Sequence, residues 1–140
     1  NKYCKVRVRK EHVCKPSKHP FCDDQIKCNG RDRDCPAGNP SKRNYLPCEI
    51  NDDDDKDSWK GRCWFGECLS REIQCRQVRS GYGYNIGGAC PGKNGCGLLE
   101  CIYSDYGMCN YVVAPDRLYV KDGTSCGLGG DNVCLKGVCV

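Results

Sequence analysis

Apolar residues in this chain fall in short clusters, and no long periodic stretch links them. Near the start, Lys5-Val6-Arg7-Val8-Arg9 alternates basic and apolar side chains, the period of a short strand with one charged face. From there to residue 47, Pro16, Pro20, Pro36, Pro40 and Pro47 interrupt the pattern and exclude long helices. Residues 69–74 have room for about two helical turns between Cys68 and Cys75. Residues 78–97 are glycine-rich and read as irregular, with a turn at Asn94-Gly95. Residues 98–103 and 111–113 are strand-like by composition. Asp122-Gly123 marks another turn, and residues 133–140 read as a small terminal hairpin. No internal repeat emerges.

Cysteine changes this picture most. Sixteen of the 140 residues are Cys, against two Phe, two Trp and one Met, and mean hydropathy is −0.68. That cysteine content marks a disulfide scaffold, and so thin an apolar inventory leaves cross-links to supply much of the stability. An even count fits eight bridges formed in an oxidising compartment. Zinc is the competing use, but its CxxC knuckles are absent. The closest spacings, Cys63–Cys68, Cys96–Cys101 and Cys134–Cys139, each enclose four residues, and His12 and His19 are remote from them in sequence. The expected fold class is small and disulfide-rich: elongated, mostly irregular loops with short strands and one or two short helices. No apolar run approaches the roughly 18 residues of a membrane span, and no signal peptide is evident. Asn1-Lys2-Tyr3-Cys4 reads like the middle of a domain, so the expectation is a mature product or an excised fragment.

Charge is uneven: residues 1–50 carry 12 Lys/Arg and 6 Asp/Glu, a balance of +6, and residues 51–140 carry 10 and 12, a balance of −2. A basic front can attract sulfated glycans or anionic lipid, or keep a strand edge solvated. Asp52-Asp53-Asp54-Asp55-Lys56 lies between Cys48 and Cys63. Four consecutive aspartates repel one another and stay solvated, whereas a calcium loop spaces its carboxylates to converge on one ion. HExxH, GxSxG and the phosphate-binding P-loop are missing from the sequence. Bridged cysteines are poor nucleophiles. The residues point to a non-catalytic binding module.

The order of the cysteine motifs is similar to that of one known family. Cys14-Lys15-Pro16-Ser17-Lys18, Cys22-Asp23, Cys28-Asn29-Gly30 and Cys35-Pro36 resemble the second half of the disintegrin domain of ADAM proteins and snake-venom metalloproteinases. Pro47-Cys48, Gly61-Arg62-Cys63-Trp64-Phe65-Gly66-Glu67-Cys68 and Gln74-Cys75 resemble the start of the ADAM cysteine-rich domain. Cys96-Gly97-Leu98-Leu99-Glu100-Cys101, Asp122-Gly123-Thr124-Ser125-Cys126-Gly127 and Val133-Cys134 through Cys139-Val140 resemble its later motifs. Together they run along essentially the whole chain. The stretch from Cys75 to Cys96 is shorter than in the family and lacks two cysteines.

The resemblance implies two domains: residues 1–47 as the C-terminal part of a disintegrin-like domain, and residues 48–140 as an ADAM-type cysteine-rich domain with its recognition segment at 102–121. It implies a non-catalytic extracellular module, secreted or on the outer part of a membrane protein, whose parent carries the zinc protease domain. Expected partners are a cell-surface receptor (integrins included), an extracellular matrix protein or a protease substrate. Sulfated glycans are a further class for the basic front, and nucleic acid is not expected. An independently secreted adhesion antagonist or toxin is the alternative. Tyr103, Tyr106, Tyr111, Val112, Val113, Leu118 and Tyr119 are the candidate contacts, tyrosine giving large rigid contact area; Val112, Val113 and Leu118 read equally as packing. Lys15, Lys18, Phe21 and Asp23 represent the disintegrin loop. Its Lys18-His19-Pro20-Phe21-Cys22 lacks the acidic residue that the family places before the cysteine, so integrin binding there is not expected. The family's second calcium site would use Asp23 and the places of Ile26 and Gly38; with two carboxylates replaced, the resemblance implies a site lost or weakened, so no cofactor is expected, calcium being the one alternative. By family analogy Cys22 pairs with Cys63 and Cys35 with Cys48, and the other pairings stay open.

Overall fold

The computed structural model describes residues 4, 12–51, 58–82, 86–92, 94–103, 107–112 and 117–140. Residues 5–9 and 52–56, singled out above for their charge, lie outside that set. Among the described residues there are four small sheets of two or three strands, one α-helix and one 3-10 turn. All sixteen cysteines are joined, in eight disulfides. The small disulfide-rich fold class holds.

Packing divides the chain into two compact units. The first is Asn1–Cys48 with Cys63–Cys68. Here β1 (Val13–Lys15) pairs antiparallel with β2 (Ile26–Lys27). The core beneath them is largely sulfur: Cys4, Cys14 and Cys28 are buried, with Ile26 and Cys35 packed against them. So few aliphatic groups cannot offset the entropy of ordering the loops. The bonds Cys4–Cys28, Cys14–Cys35, Cys22–Cys63 and Cys48–Cys68 do much of it, with separations of 24, 21, 41 and 20 residues. Loop-closure entropy assigns each about 3–4 kcal/mol.

One pairing differs from the expectation. Cys35 bonds Cys14, not Cys48, and Cys48 bonds Cys68. β3 (Pro47–Asn51), β4 (Ser58–Trp64) and β5 (Glu67–Leu69) form a sheet in that order, and Cys48 on β3 lies at a Cα–Cα distance of 5.9 Å from Cys68 on β5. Cys14 on β1 lies 5.7 Å from Cys35. The Cys22–Cys63 bond is present, at 5.3 Å.

The second unit is Glu49–Arg62 with Leu69–Val140. Its helix α1 (Arg71–Tyr82) starts where Ser70 Oγ accepts the Ile73 amide at 3.1 Å, an N-cap. At 12 residues it outruns the two turns expected from residues 69–74. Val78 explains the extension, because it is buried in the same core as Cys75, Ile86 and Leu99. Burying that side chain, worth about 1.5–3 kcal/mol, outweighs the roughly 1 kcal/mol that Gly81 costs a helix. A meander of β6 (Ile86–Ala89), β7 (Glu100–Tyr103) and β8 (Met108–Tyr111) packs in this unit. Glu72 braces helix to sheet: one carboxylate oxygen accepts the Ala89 amide at 2.8 Å and the other pairs with Arg76 at 3.0 Å. The expected terminal hairpin is present as β10 (Asn132–Leu135) and β11 (Val138–Cys139), with β9 (Ser125–Cys126) on the other side of β10. Its tip, Lys136-Gly137, has φ of 50° and 81°, the left-handed pair of a tight hairpin turn.

The pairing scheme makes a mass prediction. Intact and reduced protein should differ by 16 hydrogens, two for each of the eight bonds. Thiols that alkylate without reduction would contradict it.

Candidate functional site

The candidate contacts lie on β7, β8 and the segment after them. In the antiparallel pair, Tyr103 faces Met108 and Glu100 faces Tyr111. β8 is an edge strand exposed at every residue, and the Cys90–Cys109 bond ties it down. Tyr111 is 46% exposed and Met108 66%. Tyr103 is half-buried: its ring packs on the core, and its hydroxyl donates to the Tyr111 carbonyl at 3.4 Å. Tyr119 is 60% exposed and forms an antiparallel bridge with Leu98.

For Val112 the structure favours packing, one of the two roles its sequence allowed. It is 1% exposed within the core, and its amide donates to the Leu99 carbonyl at 3.0 Å. Apolar and flanked by two backbone bonds, it anchors the crossing of two segments. Leu118 is partly buried against the same core, so packing takes most of its surface. Tyr106 and Val113 lie outside the described residues.

Beside Tyr119 runs a groove of about 390 Å³ lined by Gln74, Gln77, Val78, Leu99, Leu118, Tyr119 and Lys121. Its lining joins aliphatic Val78, Leu99 and Leu118 to polar Gln74, Gln77 and Lys121, a combination common in binding sites. Gln74 fixes the surrounding backbone. Buried on α1, it donates to Thr124 Oγ1 at 2.8 Å and the Ser70 carbonyl at 3.0 Å, and accepts the Lys121 amide at 2.9 Å. Sequence reading missed Gln74, Gln77 and Lys121 as site residues. The available signal was weak: two glutamines three apart in a possible helix next to a cysteine. A second hollow of about 210 Å³ lies over Arg71, Leu98, Glu100 and Tyr111.

The residues of the loop between Cys14 and Cys22 divide between exposed and buried positions. Asp23 is turned inward, 8% exposed, with its carboxylate accepting the Lys18 amide at 2.9 Å. Gly66 covers it so closely that a Cβ there would lie 2.9 Å from Asp23 Cγ. Lys18 and Phe21 are exposed, and Lys15 is half-buried on β1. At the places where the family would put two more calcium ligands, Ile26 and Gly38 abut, and a Cβ on Gly38 would meet Ile26 Cδ1 at 2.6 Å. Millimolar calcium should therefore move the first unit's melting by less than about 2 °C, since only a ligand that binds the folded state shifts it. A rise of many degrees would point to ligands elsewhere.

No family model matches the chain, and no solved structure matches it. Curated sequences do. The chain is similar to the zinc metalloproteinase-disintegrin-like BmMP of Bungarus multicinctus, 29% identical over 82% of this chain and 22% of the relative. It is similar to the hemorrhagic metalloproteinase-disintegrin-like kaouthiagin of Naja kaouthia, 28% identical over 91% of this chain and 35% of the relative. A fungal disintegrin and metalloproteinase domain-containing protein B, from Aspergillus fumigatus, is 33% identical over 84% of this chain and 13% of the relative. The chain thus spans between 13% and 35% of the length of the curated relatives it matches. With venom and fungal relatives aligned over most of its residues, and thirteen of its sixteen cysteines set in the motifs that first suggested the resemblance, the chain belongs to the ADAM and disintegrin-like family.

Proposed function

We propose that this chain is a non-catalytic, extracellular recognition module of an ADAM-like protein, adhesion-related, acting through the second unit's surface around residues 103–121. The carrying observation is that Tyr111 and Tyr119 stand exposed on backbone held by Cys75–Cys101, Cys90–Cys109 and the Gln74 hydrogen bonds, with Tyr119 lining a largely apolar groove. Such preorganisation lowers the ordering cost of binding, and tyrosine is a frequent hot-spot residue. The relatives' names join metalloproteinase with disintegrin-like, and this chain corresponds to a minor part of each. That supports an ancillary role, with any proteolysis belonging to a parent protein. Its partner would be a cell-surface receptor, a matrix protein or a protease substrate. The chain alone should leave casein intact.

The test is capture of solubilised cell-surface and matrix proteins, read by mass spectrometry. Tyr111→Ala and Tyr119→Ala should each weaken capture of the leading partner at least about tenfold, with melting unchanged. Lys18→Ala and Phe21→Ala should change it less than about threefold, as near-neutral positions do. The reverse pattern would return recognition to the disintegrin loop.

A further inference from the structure

The first unit carries a surface that this recognition role does not use. Phe21, Tyr45, Leu46 and Phe65 are each between 45% and 52% exposed. Trp64 joins them: its ring meets Tyr45 at 5.6 Å and Phe65 at 4.9 Å, edge to face. Arg43 lies over the Phe21 ring at 5.7 Å. Single exposed apolar side chains need no explanation, but a contiguous set marks an interaction site.

The backbone argues the same way. Among the described residues three non-glycine positions have positive φ, and two of them are Tyr45 (72°) and Phe65 (45°). Phe65-Gly66 forms the two-residue link between β4 and β5, with both φ angles positive. Such a tip normally takes Asn or Gly, and a bulky residue there is strained. The strain is held in place. The Phe65 amide donates to Asn44 Oδ1 at 2.8 Å, Tyr45 to the Cys63 carbonyl at 2.8 Å, and Cys63 to the Leu46 carbonyl at 2.9 Å. Cys63 is itself bonded to Cys22. The chain keeps aromatic side chains outward at tips where a smaller residue would be more comfortable. Beside them Lys42 and Arg43 share a single carboxylate, Asp24, at 3.9 and 2.9 Å, two cations against one anion.

We propose that this aromatic tip is a membrane-surface anchor. Tyr45, Leu46, Trp64 and Phe65 enter the boundary between lipid headgroups and acyl chains, and Lys42 and Arg43 meet lipid phosphates. A bilayer fits better than the other occupants. The rings stand at 65° and 72° to one another, so they form no flat platform for stacking a sugar. Side chains on turn tips protrude, and a soft layer admits them without the matching cavity a rigid protein would need. Tyr and Trp suit the interface because one end is apolar and the other wet. Long basic stems let charge reach phosphate while carbon stays buried, and the excess cation favours anionic lipid.

The test uses the whole chain in a Trp59→Phe background, so that Trp64 alone reports. Vesicles of phosphatidylcholine, alone or with about 30% phosphatidylserine to add negative surface potential, are sedimented with the protein. Binding with a blue shift of Trp64 emission is expected, stronger on the mixed vesicles. Phe65→Ala should weaken partitioning about fivefold and the Tyr45→Ala/Phe65→Ala pair about thirtyfold, from the apolar area removed. Asp24→Asn should strengthen binding to the mixed vesicles and leave neutral ones unchanged. Phe65→Asn is the discriminating variant, because it relaxes the turn: melting should rise while membrane binding falls, which misfolding cannot produce. Failure to sediment with either vesicle would overturn the proposal. So would binding that salt abolishes but Phe65→Asn leaves intact, or patch variants that lose a captured protein while the parent ignores vesicles.

Discussion

Replacing Cys75 and Cys101 together by alanine should unfold the second unit at temperatures where the parent is intact. Both sulfurs are fully buried, and the bond joins α1 to β7 across 26 residues. Loop entropy alone gives about 3.5 kcal/mol for a loop of that length. The missing sulfurs also leave space beside Ile86, Leu99 and Val112, which are buried and already close-packed. Unrelaxed cavities in such cores add cost in proportion to their volume. The sum, about 5 kcal/mol, is the whole stability of a marginal domain. A matched control is Cys90→Ala with Cys109→Ala, which opens a 19-residue separation at an edge strand where Cys109 is exposed. It should lose about 3 kcal/mol from loop entropy, with a smaller cavity because only Cys90 of the two is buried. Thermal melting followed by Trp59 emission, in a Trp64→Phe background, reports the second unit. Equal shifts for the two pairs would sink the claim that burial, beyond cross-linking, makes the central bond dominant.

The sequence carried motif order and local turns well, because both are short-range. Gly61 in the motif before Cys63 has a local reason: a Cβ there would lie 2.5 Å from the Leu69 carbonyl oxygen, backbone that cannot step aside. Lys136-Gly137 folded as its hairpin pattern suggested. Pairings and burial are long-range, and there the reading failed. Nothing in the spacing of Cys35 shows that Cys14 on β1 lies beside it while Cys48 lies beside Cys68. Val112 read equally as contact and as packing, and no local signal separated the two; it is the residue that Leu99 and Leu118 bracket with backbone bonds. α1 ran past residue 77 because tertiary burial of Val78 overrode the glycines. The aromatic tip had one visible signal, Phe65-Gly66 placed midway between Cys63 and Cys68 where a two-residue turn belongs. Its contacts with Tyr45 come from a segment about twenty residues earlier and leave no local trace.

The two surfaces sit in different units and make different demands. Recognition by Tyr111 and Tyr119 needs the β7–β8 pair and the 117–121 segment held still. Arg71 contributes to that stillness beside the central disulfide. Its guanidinium donates to the Ser125 carbonyl on β9, to the Gly95 carbonyl at 2.7 Å, and approaches Cys134 Sγ at 3.9 Å. One side chain at the start of α1 therefore ties three segments that lie 24, 54 and 63 residues away. Hydrogen bonds to a charged group contribute about 1.5–3 kcal/mol each, but the Gly95 side is open to water, so its loss is partly refunded by solvent. Arg71→Met should cost the second unit about 3 kcal/mol. Arg71→Lys should recover less than half, because an ammonium cannot fork to two carbonyls. Burial lowers the guanidinium pKa from its ordinary value, yet arginine stays protonated at neutral pH. The loss should accordingly be the same at pH 6 and pH 8, unlike one set by a histidine. Arg71 also lines the hollow shared with Leu98, Glu100 and Tyr111, so Arg71→Met should weaken partner capture and melting together. Tyr111→Ala should weaken capture alone. A melting curve for Arg71→Met that overlays the parent would show that the three segments hold without it.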